Sequence, residues 1–399
     1  MPGQRARLME ILTGGWLAQC CYALAKLGIA DHMAAGPRPV ADLAAASRTD
    51  PRALTRMLRA MAGAGLLTQP APDTFGLTEV SALLRSDAYR SSRDVAIMFG
   101  EEVFRSFAEV IYTLRSGQPA FDKVYGRPFY DYLADNPEAA QTFSAAMGDA
   151  PVPAALAGCD LGGAGTLVDV GGGNGALLAR LLRAHPAARG ILVEMPPAAV
   201  QARARLARAG VADRVEFAEG SFFDPLPSGG DVYVLSRVLH NWADDEARAV
   251  LRRVREAIAT AGRLLIAEEL TGQPESVLRG DGDGDGVAGG GSDAGGSLTD
   301  LLILLTLAGC DRSEQEYCKL LDDESFSVIA VRPPPPRDPR GESVIEAVPR
   351  LPGGCPQPHE TGGQHAVPPA GPGAVGPAAR RPGAGPVHAA HRRGAGGGP

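Results

Sequence analysis

The segment Leu167-Val-Asp-Val-Gly-Gly-Gly-Asn-Gly175 constrains this chain more than any other, because an apolar run carrying one acid passes directly into glycines. A run this short and apolar reads as a buried strand, and a helix is expected over Ala176–Ala184. The four glycines (Gly171, Gly172, Gly173, Gly175) permit positive φ and let the backbone approach a ligand closely. The helix start adds free amides. Strand, loop and helix in this order make a nucleotide-shaped cradle. Its pattern admits more than one cofactor: Gly171, Gly173 and Ala176 satisfy the G-x-G-x-x-A form of dinucleotide enzymes, so NAD is not excluded by glycines alone. Asp169, two residues before the loop, and the residues downstream tilt the reading away from it.

The chain of 399 residues exceeds the ~100–200 typical of one domain. Lys plus Arg number 39 against 46 Asp plus Glu, a net charge of −7. That balance offers no electrostatic footprint for nucleic acid or an anionic membrane, so neither is expected as a partner. The six cysteines form no C-x-x-C pair. They read as small buried hydrophobes in a reducing compartment, and no metal site is expected. There is no basic segment followed by an apolar run and cleavage site, and no stretch approaches the ~20 apolar residues of a spanning helix. A cytoplasmic location is expected.

Four regions follow from the patterning. Residues 1–89 read as short helices closed by a small β-wing: Trp16, Leu17, Cys20, Leu24 and Leu27 recur at helical spacing, Asp50-Pro51 is an N-cap with Pro at N1, and Gly65-Leu-Leu and Phe75-Gly-Leu read as strands. This is a winged-helix pattern. Arg52, Arg56 and Arg59 fit a solvated helix face better than a DNA-reading one. Residues 90–160 are helical and rich in aromatics. Residues 161–348 alternate strands (Leu167–Val170, Ile191–Glu194, Val215–Ala218, Val232–Leu235, Leu264–Ala267) with helices, one carrying the stripe Ala247, Val250, Leu251, Val254, Ile258 and closed by Gly262. That alternation implies a doubly wound parallel α/β sheet, Rossmann-like, with ligands at the strands' carboxyl ends. Within it, 273–297 is glycine-rich and expected to be a flexible loop. Its Asp281-Gly-Asp-Gly-Asp-Gly286 lacks the twelfth-position Glu of a calcium loop, Ser292 standing there. Residues 349–399 are Pro, Gly, Ala, His and Arg, expected to be a disordered tail.

The ordered series made by the glycine loop, Gly190-Ile-Leu-Val-Glu194, Asp213-Arg-Val215, Gly220-Ser-Phe-Phe-Asp-Pro-Leu-Pro227, Val238-Leu-His-Asn-Trp-Ala-Asp-Asp245, Leu265-Ile-Ala-Glu268 and Asp311-Arg-Ser-Glu314 resembles the S-adenosylmethionine (SAM)-dependent O-methyltransferases of plants and actinobacteria. The family includes caffeate, hydroxyindole and polyketide-tailoring enzymes, and the similarity runs from about Arg5 to Val348. The resemblance implies SAM as cofactor, a winged-helix domain that dimerises, and an aromatic small-molecule acceptor.

It also implies roles by position. Asp169, Gly171, Gly173 and Gly175 would cradle the methionine part, Glu194 the ribose hydroxyls, Ser221 and Phe222 the adenine, and Ser236 the cofactor from the fourth strand. Ser221 stands where relatives have Asp, so one adenine-side hydrogen bond is expected to be weaker. Phe129, Tyr130, Phe143 and Met147 match positions lining the cleft, Phe129-Tyr130 standing where relatives commonly have Phe-Trp. His240 matches the general base, which a phenol of pKa ~10 needs because only about one part in a thousand is ionised at pH 7. Glu268, rather than Glu269, matches the acid that orients it. Asp311 matches the second acid, usually Glu, and its shorter arm is expected to leave a gap or admit a water. Asn241, Asp in many relatives, is expected at the acceptor side. The expected function is methylation of a phenolic hydroxyl of a polyketide-like secondary metabolite by a homodimer. Two readings stay open beside it: a SAM-binding hydroxylase or decarboxylase of the same fold, and a non-enzymatic winged-helix regulator.

Overall fold

The computed structural model describes residues 2–148, 152–272, 292–335 and 341–350. All lie in one compact unit, Met1–Gly354. Residues 273–291 of the expected glycine-rich loop and the tail from residue 351 lie outside the described residues, whereas 292–297, expected as loop, form the first turns of a helix, Ser292–Thr306.

Helix α1 (Pro2–Lys26) opens the chain and α2 (Pro51–Gly63) follows, its start set by Asp50, whose carboxylate accepts from the Ala53 amide at 2.8 Å. Leu54, Leu58 and Met61 recur three and four apart on α2 and bury against Leu24 and Phe75. Strands β1 (Arg38–Pro39), β2 (Leu67–Ala71) and β3 (Thr74–Leu77) form the wing in the order β1-β3-β2. The second wing strand starts two residues later than the sequence suggests, because Gly65 takes φ +75° in the turn that ends α2. Arg52, Arg56 and Arg59 are exposed as expected, whereas Trp16 points outward at 71 % exposure beside exposed Leu8 and Leu12.

Helices α3 (Phe129–Asp135) and α4 (Pro137–Gly148) form the cover over the later site. Phe121, Phe129, Leu133 and Ala140 build its own small core. Lys26, at the end of α1, ties the regions together: its ammonium lies 3.1 Å from Glu101 and 2.9 Å from Glu138 of α4.

The main sheet follows from period-two burial. Its strands are β4 (Thr166–Val170), β5 (Arg189–Glu194), β6 (Val215–Glu219), β7 (Val232–Ser236), β8 (Arg263–Thr271), β10 (Phe326–Arg332) and β11 (Glu342–Pro349), with the short β9 (Arg312–Ser313) against β8. Val168, Tyr233, Leu235 and Ile266 point to one core; Leu167, Val232, Val234 and Leu265 point to the other. A strand buried on both faces is the mark of a helix-covered parallel sheet. Helices α5 (Ala176–Ala184) and α6 (Pro196–Arg208) cover one face, α7 (Asp244–Ala257) and α9 (Glu314–Asp323) the other, and α8 (Ser292–Thr306) precedes β9. The order is β10-β11-β8-β7-β4-β5-β6, parallel from β8 to β6, with β10 and β11 antiparallel. This is the doubly wound architecture, and its order reverses between β4 and β7. A crevice therefore opens at the carboxyl ends of those two strands. Helix α7 ends at Ala257 with Ile258 in extended backbone, so Gly262 closes the next turn rather than the helix. Among the described residues no helix is long and apolar enough to cross a membrane.

Candidate active site

Three strand ends supply the walls of the crevice. At β4, Gly171, Gly173 and Gly175 adopt φ of 70°, 56° and 74°, while Gly172 does not take the left-handed region the sequence reading allowed it. Gly172 is needed for space instead. A Cβ there would fall 2.4 Å from Asp169 Oδ2 and 2.5 Å from Leu192. Gly175 caps α5, so the first-turn amides of that helix sit at the loop.

Asp169 shares the strand face of Leu167 and is 1 % exposed, and neither of its carboxylate oxygens has a hydrogen-bond partner. Burial pushes its pKa up to about 7 and the charge of Glu194 adds to the rise, while the nearby Leu178 amide, outside hydrogen-bond geometry, offsets part of it. At the end of β5, Glu194 accepts from the amides of Gly173 and Met195, each at 2.8 Å. Burial raises its pKa and those two bonds oppose the rise. Beyond β6, the Ser221 hydroxyl accepts from the Phe223 amide at 3.2 Å and so shapes its own turn. Phe222 lies next to the loop: a Cβ on Gly171 would come within 3.4 Å of its ring. Ser236 ends β7, paired in register with Ala267 of β8. An amide-lined loop, a carboxylate one strand away and an aromatic wall fit the polar methionine, ribose and adenine parts of SAM.

Trp242, which the sequence reading did not single out, joins the two sides of the cleft. It stacks on Tyr130 of the cover (centroids 5.3 Å, 20° between planes) and meets Phe222 and Phe223 edge-on at 5.8 and 4.8 Å. Phe129, Tyr130 and Phe143 come together as mutual edge-to-face pairs. Phe129 is nearly buried in the core of the cover, whereas Tyr130 faces Glu194, whose charge adds to the burial that raises its phenol pKa. Met147 does not join them and is 46 % exposed.

His240 sits in a single 3₁₀ turn, Leu239–Asn241, just past β7. Its Nδ1 lies 3.4 Å from Asp311 Oδ1 and 3.7 Å from Glu268 Oε2. The Asp311 contact is a long hydrogen bond. Glu268 does more than face the imidazole: its Oε1 accepts from the amides of Val238 and Leu239, both at 3.0 Å, fastening the turn. Glu269 alternates to the other face. Asn241 donates to the Arg237 carbonyl at 3.2 Å, within the turn. Burial pushes the His240 pKa down, but the charge of Glu268 with the bond and charge of Asp311 outweighs it, Arg237 opposing, and the net shift is upward. A proton on Nδ1 facing two carboxylates leaves Nε2 as the acceptor nitrogen.

Gly309 was also missed. A Cβ there would lie 2.0 Å from the His240 carbonyl oxygen and 2.5 Å from the Asn241 carbonyl carbon, so only glycine lets the segment between α8 and β9 pass this closely. Its only sequence signal is its place just before Asp311.

With this geometry in view, family comparison is decisive. Residues 9–87 match the O-methyltransferase dimerisation domain and residues 104–327 the O-methyltransferase domain. The chain belongs to the O-methyltransferase family. It is similar to the phenazine O-methyltransferase PhzM of Lysobacter antibioticus, 38 % identical over 86 % of this chain and 95 % of that one. It is similar also to the O-demethylpuromycin-O-methyltransferase of Streptomyces alboniger, 36 % identical over 87 % and 90 %. The solved O-methyltransferase NcsB1 from neocarzinostatin biosynthesis, in complex with SAM and 2-hydroxy-5-methyl naphthoic acid, superimposes with a TM-score of 0.70 at 31 % identity, over 84 % of this chain and 96 % of that one. Other relatives include N-methyltransferases and a hydroxylase. This O-methyltransferase is accordingly a SAM-dependent enzyme.

Replacing Asp311 with Asn removes one of the charges that hold the imidazolium. The His240 pKa should then fall toward the ordinary value of about 6.5. An NMR titration of the imidazole checks this; an unchanged or higher value would show that Asp311 does not govern the ring.

Proposed function

We propose that this enzyme methylates a phenolic hydroxyl of an aromatic small molecule of secondary metabolism, with His240 as general base. The observation that carries the reading is the His240 imidazole, held with Nδ1 toward two buried carboxylates at the crevice where the sheet order reverses. SAM, when bound, supplies an electrophilic methyl group. His240 Nε2 takes the hydroxyl proton of the acceptor, and Glu268 and Asp311 stabilise the imidazolium that forms. The stacked Tyr130 and Trp242 offer flat apolar surface suited to an aromatic acceptor and exclude water from the proton transfer. Relatives named for phenazine, puromycin and naphthoate substrates support that class.

Asp169, the glycine loop, Glu194, Ser221, Phe222 and Ser236 are proposed to hold the cofactor, Glu194 through the ribose diol. Glu194→Ala should weaken SAM binding by about 1–3 kcal/mol, read by calorimetry. Unchanged affinity would remove Glu194 from the site.

The chain is further proposed to act as a homodimer. Leu8, Leu12 and Trp16 recur four apart and leave a row of large apolar side chains exposed on α1, which a second copy would cover. Trp16→Glu should shift sedimentation toward the monomer; an unaltered dimer would place the interface elsewhere.

His240→Ala should lower turnover by ~10²–10⁴ and leave SAM affinity intact, because a general base acts in the transition state. The loss should be smaller with an acidic phenol already ionised at assay pH. Transfer of tritiated methyl from SAM to paired phenols of low and high pKa measures both. Near-normal turnover on the unactivated phenol would refute the base assignment, and transfer to aryl amines alone would redirect the acceptor class.

A further inference from the structure

Among the described residues, Arg312 heads the largest side chains that are fully buried, at 1 % exposure. Burying a guanidinium costs several kcal/mol unless its donors are met, so its partners explain why it is there. They converge on one place. Nη1 donates to the Leu239 carbonyl at 3.0 Å, Nη2 to the Trp242 carbonyl at 2.7 Å, and Nη2 and Nε to Asp244 Oδ1 at 2.9 and 3.1 Å. The two carbonyls bracket His240, and Asp244 begins the helix that follows.

A single 3₁₀ turn has poor internal hydrogen bonding and does not define itself well. This one also follows a strained residue, Arg237 at φ 56°. Its amides are held from the β8 side by Glu268 and its carbonyls from the β9 side by Arg312. The same short segment places Gly309 against the His240 backbone and Asp311 against the His240 ring.

We infer that Arg312 is a positioning residue, clamping the carbonyls of Leu239 and Trp242 so that the His240 ring meets Asp311 and Glu268. Its hydrogen bonds go to Leu239, Trp242 and Asp244. Arginine is required because its planar fork spans two carbonyls and a carboxylate at once, which the single ammonium of lysine does not. This inference rests on the reading of His240 as the base.

The test is Arg312→Lys in the full-length enzyme, which keeps the charge and removes the fork. With an unactivated phenol kcat should fall about 10- to 100-fold, the order expected for misplacing a catalytic group by an ångström or less. The KM for SAM should stay within about two-fold, and an acidic phenol should lose less. Histidine-labelled protein, with the His240 resonance assigned by its loss in His240→Asn, should show that imidazole titrating nearer to about 6.5, since charge is conserved and only the approach of Glu268, Asp311 and Arg237 has changed. A scaffold role alone would lower the melting temperature and leave kcat per folded site and the His240 titration unaltered; that result would overturn the inference. Should the lysine variant not fold, Asp244→Asn perturbs the clamp from a largely exposed position and should give the same changes, about 2- to 5-fold in kcat. No change there would also overturn it. If His240→Ala loses equally on both phenols, the base reading fails, and the His240 titration in Arg312→Lys still decides whether the clamp exists.

Discussion

Strand β4 is hydrogen-bonded in parallel on both edges and covered by helices on both faces, and this confinement organises everything else. With no free edge or face, it can meet a ligand only at an end, and in a doubly wound sheet that is the carboxyl end. There the neighbours diverge in chain direction, β5 and β6 to one side and β7 and β8 to the other, and a crevice results. The glycine loop, Glu194 and His240 share that rim because each follows a strand of the same sheet.

The rim is electrostatically expensive. Asp169, Glu194 and Glu268 are acids withdrawn from water within a chain already of net charge −7, and burial raises the pKa of each. Neither Asp169 oxygen nor Glu268 Oε2 has a hydrogen-bond partner, although Glu268 Oε2 faces the His240 imidazole. A sequence selected only for stability would fill such positions with apolar side chains. Local rules broken together in one place mark a functional site more firmly than any one of them. Under the proposed function these charges would meet a ribose and steady an imidazolium; in the structure Glu194 already holds the glycine loop and Glu268 the turn carrying His240.

Legibility in the sequence tracked the range of the interaction. Helix α5 was readable to the residue because its start is set by adjacent glycine and its stripe by local leucines, and the sheet strands were readable from their apolar runs within two residues at nearly every end. The wing strand was placed early because Gly65 signals a helix stop as readily as a strand start. Gly262 was given to α7 although Ile258 had already left the helix. Family pattern identified His240, Glu268 and Asp311 as residues, but their meeting depends on β9 returning to β8 from some 40 positions away in the chain. Gly309, Trp242 and the clamp made by Arg312 left no periodic signal, since each matters only through backbone brought to it from elsewhere. Met147 shows the converse, a matching position whose side chain turns to solvent.

The turn carrying His240 is fastened through its amides on one side and its carbonyls on the other, whereas the opposing cover is joined by aromatic edges and a single stack. The two walls therefore differ in how freely they can be rewritten. Substitutions in the cover exchange one apolar contact for another and alter the shape offered to an acceptor; substitutions behind the turn move backbone. Apolar substitutions in α3 and α4 should therefore be tolerated more readily than substitutions behind the turn.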